Sequence, residues 1–228
     1  MAPARRRLPA GARERARIVV ERLRQEYPDA ETELPTSNPF QLLVAVILSA
    51  QTTDNRVNQV TPTLFAAYTT PNALAGAPQE DVEAIIKPTG FFRTKARAIR
   101  EMAQDVVRLH GGEVPGRMEE LVRLRGVGRK TANVVLGVAF GVPGFAVDTH
   151  VNRLTQRLKL TGASEPEKIE ADVTSIVPPP EWTLLSLRLI LHGRRVCVAR
   201  KPRCPACVLN DVCPSARLFL KPARVQRR

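Results

Sequence analysis

The sequence predicts an all-α fold, and three observations predict it. Apolar residues recur at helical spacing in one segment after another. No stretch alternates apolar and polar residues as a hairpin of strands would. Asn, Pro and Gly punctuate the segments where helices start and stop. With 228 residues and 43% hydrophobic composition, the chain can form one large or two small globular domains with a real core. Aromatic residues make up only 4%, so that core is built mainly from Leu, Val, Ile and Ala.

The first helix is expected over residues 13–27, with Ile18, Val19 and Leu23 at helical spacing and Pro28 ending it. "ETELPTSNPF" reads as a linker in which Asn38 caps, and Pro39 opens, the next helix. The following run, "FQLLVAVILSA", has no polar face, which puts this helix in the middle of a bundle. A helix over residues 56–68 is expected to kink at Pro62. Short pieces follow at 71–76 and 78–86, then a long helix at 94–110 stopped by Gly111 and Gly112. Helices at 117–124 and 130–140 flank a glycine turn, and the last three span 149–160, 166–177 and 181–192.

The formal net charge is +13, an excess that favours a polyanionic partner, either nucleic acid or an anionic membrane. No run approaches the ~18 apolar residues of a membrane span. A surface-membrane binder would also need an exposed amphipathic helix with bulky aromatics. The N-terminal "MAPARRRLPAGARERAR" has no apolar core for export, so residues 1–11 read as a disordered basic arm on a cytoplasmic protein.

"LRGVGRKTANVVL" places Gly126 and Gly128 around Val127, between two helices. Glycine permits a tight backbone and leaves amide groups uncovered. The helix that starts there points its unpaired N–H groups and positive dipole end the same way, which makes a backbone anion site. Arg123, Arg125, Arg129 and Lys130 surround it, so the anion reads as a phosphate, held without regard to base sequence. An ordinary helix–turn–helix corner is the bland alternative.

Lys130 has a second reading, as a nucleophile. A free lysine has a pKa of ~10.4. A helix N-terminus and partial burial would both disfavour its ammonium form. "FAVDTHVNRL" offers Asp148 as a proton acceptor at the start of another helix, where its bland role is an N-cap. His150 reads as a surface or capping residue. All four cysteines lie in one stretch, Cys197-x6-Cys204-x2-Cys207-x5-Cys213. A disulfide framework would spread them over the fold, so they read as a metal site for zinc or an iron–sulfur cluster.

Taken in order, "LSAQTTD", "GVGRKTANVVL", "VDTH" and the x6-x2-x5 cysteine spacing resemble the endonuclease III family, bifunctional DNA glycosylases of the helix–hairpin–helix superfamily. The resemblance covers residues 12–215. It implies two helical domains with DNA bound between them. Residues 32–142 would form a six-helix barrel carrying the hairpin. Residues 12–31 and 143–215 would form the other domain, with a [4Fe–4S] cluster on Cys197, Cys204, Cys207 and Cys213. Residues 216–228, outside the resemblance, read as a basic tail. The partner implied is double-stranded DNA containing damaged bases or abasic sites, bound by a monomer in the nucleoid.

The resemblance also implies a mechanism. The damaged nucleotide is flipped out of the stack. Lys130 attacks C1′ and expels an oxidised pyrimidine, Asp148 partners it, and the resulting Schiff base leads to β-elimination on the 3′ side. Gln51 would fill the gap beside the orphan base, and Phe91 would wedge the stack; core packing is the bland role for Phe91. Arg125, Gly126, Val127, Gly128 and Arg129 would contact DNA, as would Arg200 and Lys201 from the loop between the first two cysteines. Two positions depart from the family pattern. Phe91 stands where Leu is usual. Arg125 stands where Pro is usual, a change that loosens the turn by about 0.4–1 kcal/mol through the unfolded chain. The rival readings are a monofunctional adenine glycosylase, which would want a carboxylate at Val46, and a non-catalytic DNA-binding protein.

Overall fold

The computed structural model describes residues 7–220. Residues 1–6 of the expected arm and 221–228 of the expected tail therefore lie outside the described residues. Eleven α-helical segments are described: α1 (Ala12–Glu26), α2 (Pro39–Leu48), α3 (Asp54–Ala67), α4 (Pro71–Ala75), α5 (Gln79–Ile86), α6 (Phe92–His110), α7 (Met118–Leu121), α8 (Arg129–Ala139), α9 (Thr149–Arg157), α10 (Pro166–Thr174) and α11 (Trp182–Arg195). There is no strand among the described residues, and none of their helices is long and apolar enough to cross a membrane. The chain divides into two compact units, one of residues 32–144 and the other of the segments on either side of it.

Within residues 32–144, α2 is the central helix. Asn38 accepts the Gln41 N–H on its side-chain oxygen at 2.9 Å, and Pro39 supplies the pre-set first turn. Phe40 and every residue from Leu42 to Leu48 are buried, against α3, α6 and α8. A helix apolar all round has nowhere else to go. The amphipathic α6 turns Ala96, Ile99, Met102, Ala103 and Val106 inward and packs on α4 and α5. Gly111, at φ 62°, ends it in the left-handed conformation.

One helix is shorter than its sequence suggests. The segment expected over 117–124 is helical only at Met118–Leu121. Beyond it the N–H groups of Arg123, Leu124 and Val127 each bond the carbonyl three residues back, all at 3.1 Å. Successive tight turns of this kind bring the chain round to α8 in fewer residues than an α-helix would need.

In the other unit, α11 packs on α1 and α9 around the fully buried Phe145 and Leu189. Arg188, also buried, donates from Nε to the Tyr27 carbonyl at 3.2 Å. α9 stops at Arg157 because Lys159 turns left-handed at φ 51°. The Lys159 and Leu160 N–H groups then close on Gln156 and Thr155 at 3.0 and 2.9 Å, a Schellman ending with lysine where glycine is usual. At the inner end of the expected arm, Leu8 packs on this core; at the start of the expected tail, Ala216 is buried.

Gly144 is confined by its neighbour: a Cβ there would sit 2.6 Å from the Asn133 carbonyl oxygen. Gly144→Ala is therefore expected to lower stability by about 1–3 kcal/mol, read as a lower urea midpoint. An unchanged midpoint would contradict this packing.

Candidate active site and metal centre

Each residue of the glycine turn does something different. Gly126 has φ 74°, and a Cβ on it would only touch the Ala98 methyl at 3.4 Å, so it is conformation that selects glycine. Val127 is buried and pins the turn to the core. Gly128 has an ordinary φ of −92°, and a Cβ on it would meet nothing within 4 Å. Nothing in the fold itself calls for glycine at 128.

Gly128 is also the N-cap of α8 and offers no side chain to the amides behind it. Asn38 and Asp148, by contrast, do cap α2 and α9. The first turn of α8 carries Arg129 and Lys130 and no acid. A helix is stabilised by acids there and disfavours cations, so the arrangement runs against stability and toward anion binding.

Arg125, Arg129 and Lys130 are all exposed. The partial burial expected for Lys130 is absent. α8 turns Ala132, Asn133, Val135 and Leu136 to the core, and Lys130 belongs to its outer face. The loosening expected from Arg125 is also offset. Its backbone N–H, which a proline would lack, donates to Asp105 Oδ2 at 3.1 Å.

Gln51 lies in the turn after α2 with φ 54°, and Phe91 heads α6 with φ 48°. Both are exposed, Phe91 to 67%, which rules out core packing for it. A non-glycine residue held in this region costs of order 1–3 kcal/mol, and such strain gathers at functional sites.

Asp148 caps α9, its Oδ1 accepting the Val151 N–H at 2.8 Å. His150 is neither surface nor cap. It is partly buried against Gly193, where a Cβ would approach its ring to 2.9 Å, and Arg153 Nη2 donates to its Nδ1 at 3.2 Å. Burial pushes its pKa below the ordinary value, which keeps the ring an acceptor.

Cys197, Cys204, Cys207 and Cys213 are free thiols around one cavity floored by Leu154, Leu158, Leu209 and Ala216. Among the described residues, no three His, Cys, Asp or Glu side chains converge where a single metal ion would sit. Four thiols set around a cavity instead suit an iron–sulfur cube, whose thiolates each bind a different iron. Donors already surround the sulfurs. Arg157 Nη1 reaches Cys197 Sγ at 3.2 Å, the Leu209 N–H reaches Cys207 Sγ at 3.4 Å, and His192 Nε2 lies 3.3 Å from the same sulfur. Burial pushes the Cys207 thiol up to about 11, so a bound cation is what would hold these sulfurs as thiolates.

Arg200 and Lys201 are exposed in the loop between the first two cysteines, Lys201 with φ 53°. This loop is braced by contacts to the rest of its own unit. Arg157 donates to the Val198 and Ala199 carbonyls, both at 2.9 Å, and Arg203 N–H closes on Val196 O at 3.0 Å. Arg153 holds the Cys197 carbonyl from Nε at 3.1 Å. Arg153 and Arg157 carry no motif that marks them in the sequence. The available signal was two arginines one helical turn apart directly after "VDTH".

The hairpin, Gln51 and Phe91 belong to the unit of residues 32–144, whereas Asp148, the cysteines, Arg200 and Lys201 belong to the other. Residues 44–179 match the HhH-GPD superfamily of base excision DNA repair proteins, and residues 197–213 match the iron–sulfur binding domain of endonuclease III. The chain is 51% identical to endonuclease III of Synechocystis sp. over 91% of its own length and 95% of that protein's. Two solved structures, a non-covalent endonuclease III–DNA complex and a trapped endonuclease III–DNA covalent intermediate, each superpose with TM-score 0.87 at 42% identity, covering 90% of this chain and 97% of theirs. With its fold, its glycine hairpin and its cysteine set all matched along nearly the whole length, the chain belongs to the endonuclease III family of HhH-GPD base excision repair proteins.

Proposed function

We propose that the protein is a DNA N-glycosylase and AP lyase that removes oxidised pyrimidines from duplex DNA, with Lys130 as nucleophile. The observation that carries this is the start of α8, where an exposed lysine stands on an uncapped helix N-terminus behind a glycine that the fold does not require. The relative trapped as a covalent intermediate with DNA supports it.

The neutral Lys130 amine gives its lone pair to C1′ as the bond from C1′ to the base breaks, and the departing base takes a proton. Opening of the sugar leaves an iminium between Nζ and C1′. The iminium acidifies the C2′ hydrogen, its removal expels the 3′ phosphate, and water then releases the lysine. Asp148 handles the protons and offsets the iminium's charge. Lys130 is exposed in the free protein, so the arriving strand is what would cover it.

The hairpin amides, with Arg125 and Arg129, hold phosphates. Phe91 enters the stack, Gln51 takes the vacated space, and Arg200 with Lys201 holds a second stretch of backbone. Cys197, Cys204, Cys207 and Cys213 would hold a [4Fe–4S] cluster, which fixes the basic loop and can exchange an electron when bound. The protein acts as a monomer in the nucleoid, and its termini add non-specific affinity for DNA.

Lys130→Ala is expected to lower strand cleavage at an abasic site on the order of 10³-fold or more while retaining duplex binding in a gel-shift assay. A variant that cleaves normally would overturn the assignment. Gly128→Ala is expected to cost less than about 1 kcal/mol of stability yet weaken duplex binding at least fivefold, since a methyl there meets only the approaching strand. Equal binding by the two proteins would remove the phosphate reading. Cys213→Ala is expected to lose visible cluster absorbance and most bound iron. Full iron content in that variant would count against the four-thiolate site.

A further inference from the structure

We propose that Lys95 and Asp105 are positioning residues that fasten the Phe91 turn and the glycine hairpin to a single helix, α6, so that a duplex meets both as one rigid surface. Among residues 32–144 these are the two buried ionisable side chains, at 5% and 9% exposure. Both lie on α6, and both bond backbone outside it. A buried ionised group is costly unless its hydrogen bonds are made, and an apolar residue would fill the same space without that cost. Their partners therefore carry the meaning.

Lys95 Nζ donates to the Thr89 carbonyl at 2.9 Å, and the Lys95 backbone N–H donates to the Phe91 carbonyl at 3.0 Å. Thr89, itself buried, closes on Ile86 O at 2.8 Å through its hydroxyl. The strained backbone at Phe91 is thus gripped at residue 91 and two residues before it. At the other end, Asp105 Oδ2 accepts the Arg125 N–H at 3.1 Å while Oδ1 accepts from Arg108 Nη2 at 2.6 Å. Midway along, Ala98 is the residue that Gly126 approaches. Ten residues of helix separate the two grips by ~15 Å. The Asp105 bond exists only because residue 125 is not proline, so the exchange of Pro for Arg and the carboxylate at 105 form one device.

This inference rests on the reading that Phe91 and the hairpin face DNA, but half of its test needs no DNA. In the free protein, Asp105→Leu is expected to speed hydrogen exchange at the Arg125 amide about tenfold or more, with Asp105→Asn, which keeps an acceptor, changing it far less. Arg125→Pro deletes the donor without touching the core. If Asp105 acts through that amide, replacing it by Leu in the Arg125→Pro protein adds much less to KM for abasic duplex than it does in the parent. Lys95→Met is expected to cut the fluorescence rise of 2-aminopurine beside a damaged pyrimidine at least fivefold, while cleavage at abasic sites in single-stranded DNA, where no stack needs opening, is unchanged.

Unchanged Arg125 exchange in Asp105→Leu, additive effects of the Asp105 and Arg125 substitutions, or an undiminished 2-aminopurine signal in Lys95→Met would overturn the proposal. A parent protein that shows no 2-aminopurine response would instead sink the functional reading, and the exchange experiment would still decide the Asp105 half.

Discussion

A hairpin that lies open along its rim and yet holds still is the constraint on which the rest of this structure depends. Open backbone normally moves. Here Val127 is driven into the core between two glycines, so the turn is anchored by its centre and bare at its rim. Gly126 satisfies the fold and Gly128 does not need to. That difference separates the residue that shapes the turn from the residue that leaves room for a ligand. The same bareness leaves α8 without a side-chain cap and with two adjacent cations and no acid at its head, an arrangement that favours an anion there.

The two units solve a similar problem in different ways. Around the hairpin, rigidity comes from a continuous apolar core and from side chains of α6 bonded to loop backbone. Around the cysteines, three of which pack on the apolar core of their own unit, the loop carrying Arg200 and Lys201 is braced by Arg153 and Arg157 on its carbonyls. Tyr27, His192 and Cys207 extend this bracing inward. The Tyr27 hydroxyl lies 3.1 Å from His192 Nδ1, whose other nitrogen faces the sulfur. Burial pushes the His192 pKa down to about 4, which keeps the ring neutral and leaves it one N–H to share along that chain.

Much of this was legible in the sequence because it is local. The Asn38-Pro39 helix start, the all-apolar α2 and the glycines of the hairpin each declare themselves within a few residues. The cysteine spacing carried the metal centre in the same way. What was not legible depends on contacts made at a distance or on which side of a helix faces out. The exposure of Lys130 follows from the rotation of α8 about its axis, which residues well beyond 130 decide. The bond between Arg125 and Asp105 joins positions twenty residues apart. Sequence could flag the missing proline but not what takes up the freed amide. The premature end of α7 reflects successive turns that propensity alone does not distinguish from helix.

The central claim is chemical, that the amine of Lys130 bonds to the sugar. The most direct measurement is to reduce the complex with borohydride during turnover of an abasic duplex, digest it, and locate the added sugar mass by peptide sequencing. The label is expected on the α8 peptide at Lys130. A label on any other lysine or on the N-terminal amine would contradict the claim.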